Sequence, residues 1–213
     1  MASVDTAASG RGGLRERKKE QTRAALSWAA IRLTIEKGWD NVRVEDIAAE
    51  VGVSPRTFNN YFSSKGEAIA ARHLDRTRRI GAALRERPEG EPLWDSITAA
   101  VVGQVPPARD SEGKSTLDEE WTEGIRLMTS EPALQGELLR ASAVGVTTLA
   151  AAIAARTGTD PERDMYPRLV AGSVGVAIQV ATTHWLSVDT TTPIHSLLRE
   201  ALRQLAAGLP VPE

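Results

Sequence analysis

Apolar positions in this chain recur at helical spacing. Leu26, Ala29, Ala30 and Leu33 stand at offsets of zero, three, four and seven, one stripe of a first helix. It is expected to start near Leu14 and to end at Lys37-Gly38, a cation in the last turn followed by a glycine stop. Val44, Ile47, Ala48 and Val51 repeat those offsets on a short second helix, which Gly52 closes by taking a left-handed conformation. Ser54-Pro55 opens a third helix, Ser54 as N-cap and Pro55 at the first position. Ser64 caps a fourth, running through Ile69 and Leu74 towards Leu84. Ahead of these, residues 1–13 are small, polar and glycine-rich and predict a flexible arm.

Pro88–Pro92 interrupts the pattern and predicts a domain joint. Helices are expected over Leu93–Gln104, Leu117–Thr129, Pro132–Arg156, Asp160–Val188 and Pro193–Ala207, with a loop around Pro106–Ser115. Tyr166-Pro167 is placed to delay or kink the first turn of the helix from Asp160. No strand alternation, internal repeat or low-complexity tract is evident, so the fold class is all-α.

Composition narrows the chemistry. The 213 residues are 41% hydrophobic and 25% charged, the balance of a globular chain with a real core. There is no cysteine, and His73, His184 and His195 lie far apart without ligand spacing, so neither a metal nor a cofactor is expected. Leu169–Val188 carries no charge, but Gln179, Thr182, Thr183 and His184 make it polar for a bilayer span. It reads as a buried or interface helix, and no membrane partner is expected. Residues 1–13 lack the apolar run of a secretory signal, which leaves the cytoplasm as the expected location. The net charge of −2 hides an asymmetry: residues 1–80 hold 15 Lys+Arg against 10 Asp+Glu, net +5, and residues 81–213 hold 11 against 18, net −7. One end is suited to an anionic partner.

The segment Val44–Phe62 gives that partner a form. A helix that reads DNA must be held at a fixed angle so that its outer face enters a groove about 12 Å wide. Ala48 supplies a small residue where two helices cross, Gly52 the sharp turn, and Val53 an apolar plug beneath it. Phe58 and Phe62, four apart, face inward as anchors, leaving Arg56, Thr57, Asn59 and Asn60 outward with Tyr61 at the edge. Arg and Asn are the side chains able to pair with guanine and adenine edges.

These residues resemble the TetR family of bacterial regulators. The matching text is Ala29-Ala30, Glu36-Lys37-Gly38-Trp39, Val44 with Ile47-Ala48, Gly52-Val53-Ser54, Thr57-Phe58, Tyr61-Phe62 and Lys65, within Arg15–Ala71. The resemblance implies an all-α homodimer with a helix-turn-helix DNA-binding domain over residues 14–80. It also implies a helical effector-binding and dimerisation domain over 81–213. DNA contacts carry over to Arg56, Thr57, Asn59, Asn60 and Tyr61, with Lys65 as a phosphate clamp and with Arg43 and Ser54 beside them. Lys18, Lys19 and the Thr22 hydroxyl are candidates for further phosphate contact, whereas Arg76, Arg78 and Arg79 read as solvated. Two positions depart from the family: Arg43 stands where a small hydroxyl residue often caps the second helix, and Asn59 where an aromatic is common.

Beyond the joint, Trp94, Trp121, Met128, Tyr166, His184 and Trp185 are candidates to line an effector cavity, though each taken alone is more often a core or interface residue. No Arg or Lys cluster is expected inside an apolar face, which favours a largely apolar, neutral or cationic effector. Gly172, Ser173, Gly175, Ala177 and Ala181 form a small-residue face on the next-to-last helix, suited to a two-fold contact with the last helices of a second copy. The expected function is ligand-responsive regulation, most often repression, through operator DNA. An enzyme is the first rival, but no phosphate loop, nucleophile elbow or paired-histidine helix appears. A protein-binding module whose first domain has left DNA is the second.

Overall fold

The computed structural model describes residues 6–105, 119–187 and 192–211, with the backbone alone described for 6–14 and 119–121. Among them the elements are α1 (Thr6–Lys37), a 3₁₀ turn (Trp39–Asn41), α2 (Val44–Glu50), α3 (Pro55–Asn59), α4 (Lys65–Arg85), α5 (Leu93–Val102), α6 (Glu119–Ser130), α7 (Pro132–Thr157), α8 (Met165–Ser187) and α9 (Ile194–Ala206). No strand occurs among the described residues. The expected loop at 106–115 lies outside them. So do the first five residues of the expected arm. From Thr6 the chain is already in α1, which passes through Gly10, Gly12 and Gly13 despite a propensity cost of about 1 kcal/mol each.

Two apolar cores share α4. In the first, Leu26, Ala30 and Leu33 of α1 meet Ile47, Ala48, Phe58, Phe62, Ala68 and Ile69. Buried Ser27 donates its hydroxyl to the Ala68 carbonyl at 2.5 Å, so no polar atom there is left unpaired. Leu134 of α7 is fully buried in the same core, with Leu127, Met128 and Leu138 packed beside it. The first unit is therefore closed by residues from beyond the expected boundary near residue 80. In the second core, Ile80 and Leu84 of α4 meet Ile97, Leu149, Ile153, Val170, Val174, Leu198 and Leu202. Gly145 lets α7 approach α4 closely, since a Cβ built there would stand 3.1 Å from Thr77 Cγ2.

The joint at Pro88–Pro92 is clamped rather than loose. Arg156 at the end of α7 donates to the carbonyls of Arg87, Pro88 and Glu91 at 2.9, 2.8 and 3.2 Å, and to Ser96 Oγ at 3.0 Å. Arg87 pairs with Glu91, and this contact with the Ser96 hydroxyl holds the Glu91 carboxyl down to about 2. The loop carbonyls that follow α4, and at 3.5 Å the Leu84 carbonyl in its last turn, thus find a guanidinium where water would otherwise serve.

α8 starts five residues later than Asp160. The Asp160 carboxylate accepts from the amides of Glu162 and Arg163, and the Asp164 carboxylate accepts from the Asp160 amide at 2.8 Å, closing a separate turn. Pro167 then falls in the first turn of α8, where its missing N–H has no acceptor to lose. By length and composition α7 and α8 could each cross a membrane, with mean hydropathy 1.7 and 1.3. Here they pack on each other and on the second core, leaving Leu169, Val176 and Val180 each 59% exposed along α8.

Candidate functional site

The reading head is built by three local devices. Arg43 precedes α2, and its backbone N–H donates to Asp46 Oδ2 at 2.9 Å. Asp46 thereby supplies one half of a capping box; a guanidinium has no acceptor for the other half, and the Asp46 amide donates to the Arg43 carbonyl at 3.1 Å instead. The Arg43 side chain is left exposed. At the other end Gly52 has φ 72, Val53 N donates to Ala48 O at 2.9 Å and Gly52 N to Ala49 O at 3.0 Å, a Schellman close. Ser54 Oγ then accepts from Thr57 N at 3.1 Å with Pro55 in the first turn, so α3 starts two residues after α2 has been turned.

Beneath α3, Phe58 and Phe62 are buried with ring centroids 5.7 Å apart. Their burial fixes what faces out. Arg56, Asn59 and Asn60 are exposed, and Thr57 and Tyr61 are half-buried at the margin. Arg32 of α1 pairs with Glu50 at the end of α2 and holds that carboxyl below its usual range, tying α2 to α1. The structure therefore brings Ser54, Arg56, Thr57, Asn59, Asn60 and Tyr61 together on and around one short helix, with Arg43 at the start of α2.

Lys18 and Lys19 stand exposed on α1. The Thr22 hydroxyl donates to the Lys18 carbonyl at 3.0 Å, which already satisfies its proton. Lys65 departs most from expectation. Its ammonium donates to the carbonyls of Trp39 and of Val42, the latter at 2.9 Å, and lies 4.1 Å from the centroid of the Trp39 ring. It braces the 3₁₀ turn against α4 instead of reaching outward as a free clamp. Two carbonyls and an aromatic face hold the ammonium, which has no carboxylate partner among the described residues.

The five candidate effector residues whose side chains are described do not converge. Met128 packs on the first core, and Trp94 and Trp185 on the second. Tyr166 and His184 are on exposed positions of α8, and Trp121 falls on α6 where the side chain is not described. Trp94 lines a surface trough of about 650 Å³ between α5 and α9, with Thr98, Val102, Arg199 and Leu202. The physical reason is that tryptophan and methionine were assigned by chemistry alone, and core packing claims the same side chains. Conversely, Arg76 was read as solvated and is half-buried. A signal was available: position 76 is seven after Ile69 and four before Ile80, on the apolar stripe of α4.

Residues 28–71 match the family described as bacterial regulatory proteins, tetR family, and residues 91–210 match the MftR C-terminal domain. The chain is 34% identical over 179 residues to the HTH-type transcriptional regulator TcmR of Streptomyces glaucescens, covering 84% of this chain and 79% of that one. It is 27% identical over 198 residues to MftR of Mycobacterium tuberculosis, a transcriptional regulator named for mycofactocin biosynthesis, covering 91% and 93%. Among solved structures, a TetR-family transcriptional regulator from Syntrophomonas wolfei superposes with a TM-score of 0.62 at 18% identity, over 92% of this chain and all of that one. The fatty acid degradation regulator FadR of Bacillus halodurans gives 0.55 at 17%, over 88% and 96%. Both likenesses bear on the fold alone.

Proposed function

Because the chain belongs to the TetR family of transcriptional regulators, we propose that it represses transcription in the cytoplasm as a homodimer, and that a small-molecule effector in the C-terminal domain releases it from operator DNA. Regulation of transcription, rather than catalysis, is what the family membership gives. The observation that carries the specific reading is the reading head itself, with Arg56, Asn59 and Asn60 exposed above buried Phe58 and Phe62. Arg and Asn there can make paired contacts to base edges, while Lys18, Lys19 and Arg43 meet phosphates.

Dimerisation is supported by the exposed apolar stripe of α8. Leu169, Val176 and Val180 alternate with Gly172 and Gly175, at both of which an added Cβ would meet nothing within 4 Å. A second copy crossing there would cover apolar surface, and operator binding then requires the two reading helices to stand about 34 Å apart, one turn of DNA. The effector is taken to be largely apolar, in keeping with the cores that surround α4. It acts only if it binds the form incompetent for DNA more tightly.

Footprinting on the DNA flanking the gene, with and without added salt, tests the reading. The expected result is a protected two-fold symmetric site lost steeply as salt rises. Absence of any selected sequence from random duplexes would leave a protein-binding module as the better account.

A further inference from the structure

The face of α4 that links the two cores is apolar at both ends and cationic in the middle. Ile69 is fully buried in the first core and Ile80 is buried in the second. Arg76 lies between them, half-buried, with no hydrogen-bond or ion-pair partner among the described residues. Its helical neighbours are engaged elsewhere: Arg72 lies 3.9 Å from the centroid of Trp28, and Arg79 Nε donates to Gln104 Oε1 at 3.2 Å. Asp75, the acid nearest in sequence, accepts from Arg23 and from Arg78. On the α7 side the neighbour is His73, 3.1 Å from Ser142 Oγ.

A guanidinium in such a place is costly unless something neutralises it, because burial strips its water and two like charges lie beside it. The local potential shows in both titratable groups. Burial, with Arg79 and Arg72 adding to it, pushes Arg76 down to about 10. Burial, with Arg76 adding to it, pushes His73 down to about 4. A methionine or leucine would fill the same stripe without this penalty.

We propose that Arg76 binds an oxyanion of the effector, a carboxylate or a phosphate, at the junction of the two cores, so that the effector is an anionic amphiphile rather than a neutral or cationic compound. The guanidinium fork matches two oxygens of either group, and the apolar stripe of α4 on either side of Arg76 is where the apolar body would lie. This deepens, and rests on, the reading of an effector-responsive regulator. It also places the ligand's charge on the helix that connects the second core with the reading head, where a bound anion would bias its position.

The test uses the full-length protein and three probes with one alkyl chain: dodecanoate, dodecyl phosphate and dodecanol, each below micelle-forming concentration, followed by calorimetry and by release of operator DNA. At least one anion is expected to bind wild type ten-fold or more tightly than dodecanol. Arg76→Met should erase that preference, and Arg76→Lys should retain part of it. Equal binding of dodecanol and both anions overturns the anion site but leaves the effector reading standing if DNA is released. Binding by none of the three overturns the proposal, whereas the effector reading falls separately if a metabolite extract also fails to release DNA. Without ligand, Arg76→Met is expected to melt at or above the wild-type temperature. A clear drop, or failure to fold, makes Arg76 a structural residue and overturns the proposal as well.

Discussion

Arg23 on α1 donates from one nitrogen to both carboxylate oxygens of Asp75 on α4, at 2.9 and 2.8 Å, while its guanidinium carbon stands 5.3 Å from the centre of the Phe62 ring. One side chain thus touches the first helix, the anchor of the reading helix and the connecting helix. Asp75→Asn keeps the shape and removes the charge, leaving Arg23 partly buried and unpaired. We expect a loss of about 1–3 kcal/mol in a urea melt and weaker operator binding in the same variant. An unchanged melt would reduce the pair to a surface contact.

Arg56 and Lys65 are predicted to fail in different ways. Arg56→Ala should leave the melting temperature unchanged and relax base preference at one operator position, by about 1–3 kcal/mol. Lys65→Ala removes the brace on Trp39 and Val42, so it should lower thermal stability together with affinity for every sequence. Selection from random duplexes, run beside a thermal melt, separates the two. The same selected motif for wild type and Arg56→Ala would remove Arg56 from base reading.

His73 gives stability a specific pH dependence. Its value in the folded protein is about 4 against an ordinary 6.5, so between these limits the unfolded chain binds more protons. Stability is therefore fully present above pH 6.5 and falls as pH drops towards 4, by at most about 3 kcal/mol for this group. His73→Gln should flatten that window. Glu91 acts in a lower one, since its carboxyl is held down to about 2 and its contribution is lost only below the ordinary carboxylate range.

Gly175→Glu isolates the proposed dimer contact from the fold of the single chain. Nothing in one copy stands within 4 Å of a Cβ there, so the monomer accommodates the side chain. Across a two-fold contact it would bury an unpaired carboxylate. Light scattering should report a shift from dimer to monomer with little change in helix content. A variant that stays dimeric would move the interface away from this face of α8.

Local signals carried much of the architecture. Ser54-Pro55, Ser64 and Gly52 mark helix ends because the physics that fixes them is contained within a few residues. The tether of Arg156 to the joint was not legible, because its partners lie 60 to 72 positions earlier in the chain. The brace made by Lys65 is illegible for a related reason: an outward clamp and an inward brace differ only in what surrounds the ammonium, and Trp39 and Val42 reach it through the fold. Asp160 shows the limit of local rules themselves, since a capping carboxylate closed a turn instead of opening α8.

The close approach at Gly145 has a mechanical consequence. With Thr77 seated against it, α4 has a fulcrum, and the arm from Thr77 to Lys65 spans about 18 Å at the helical rise. Rotation by about 10° about that point would carry the N-terminal end of α4 through about 3 Å, comparable to the rise of one base pair. Small displacements beside Arg76 or His73 would thereby be magnified at the N-terminal end of α4. A bulkier residue at 145 would shift the pivot, so that the same effector produced a different stroke.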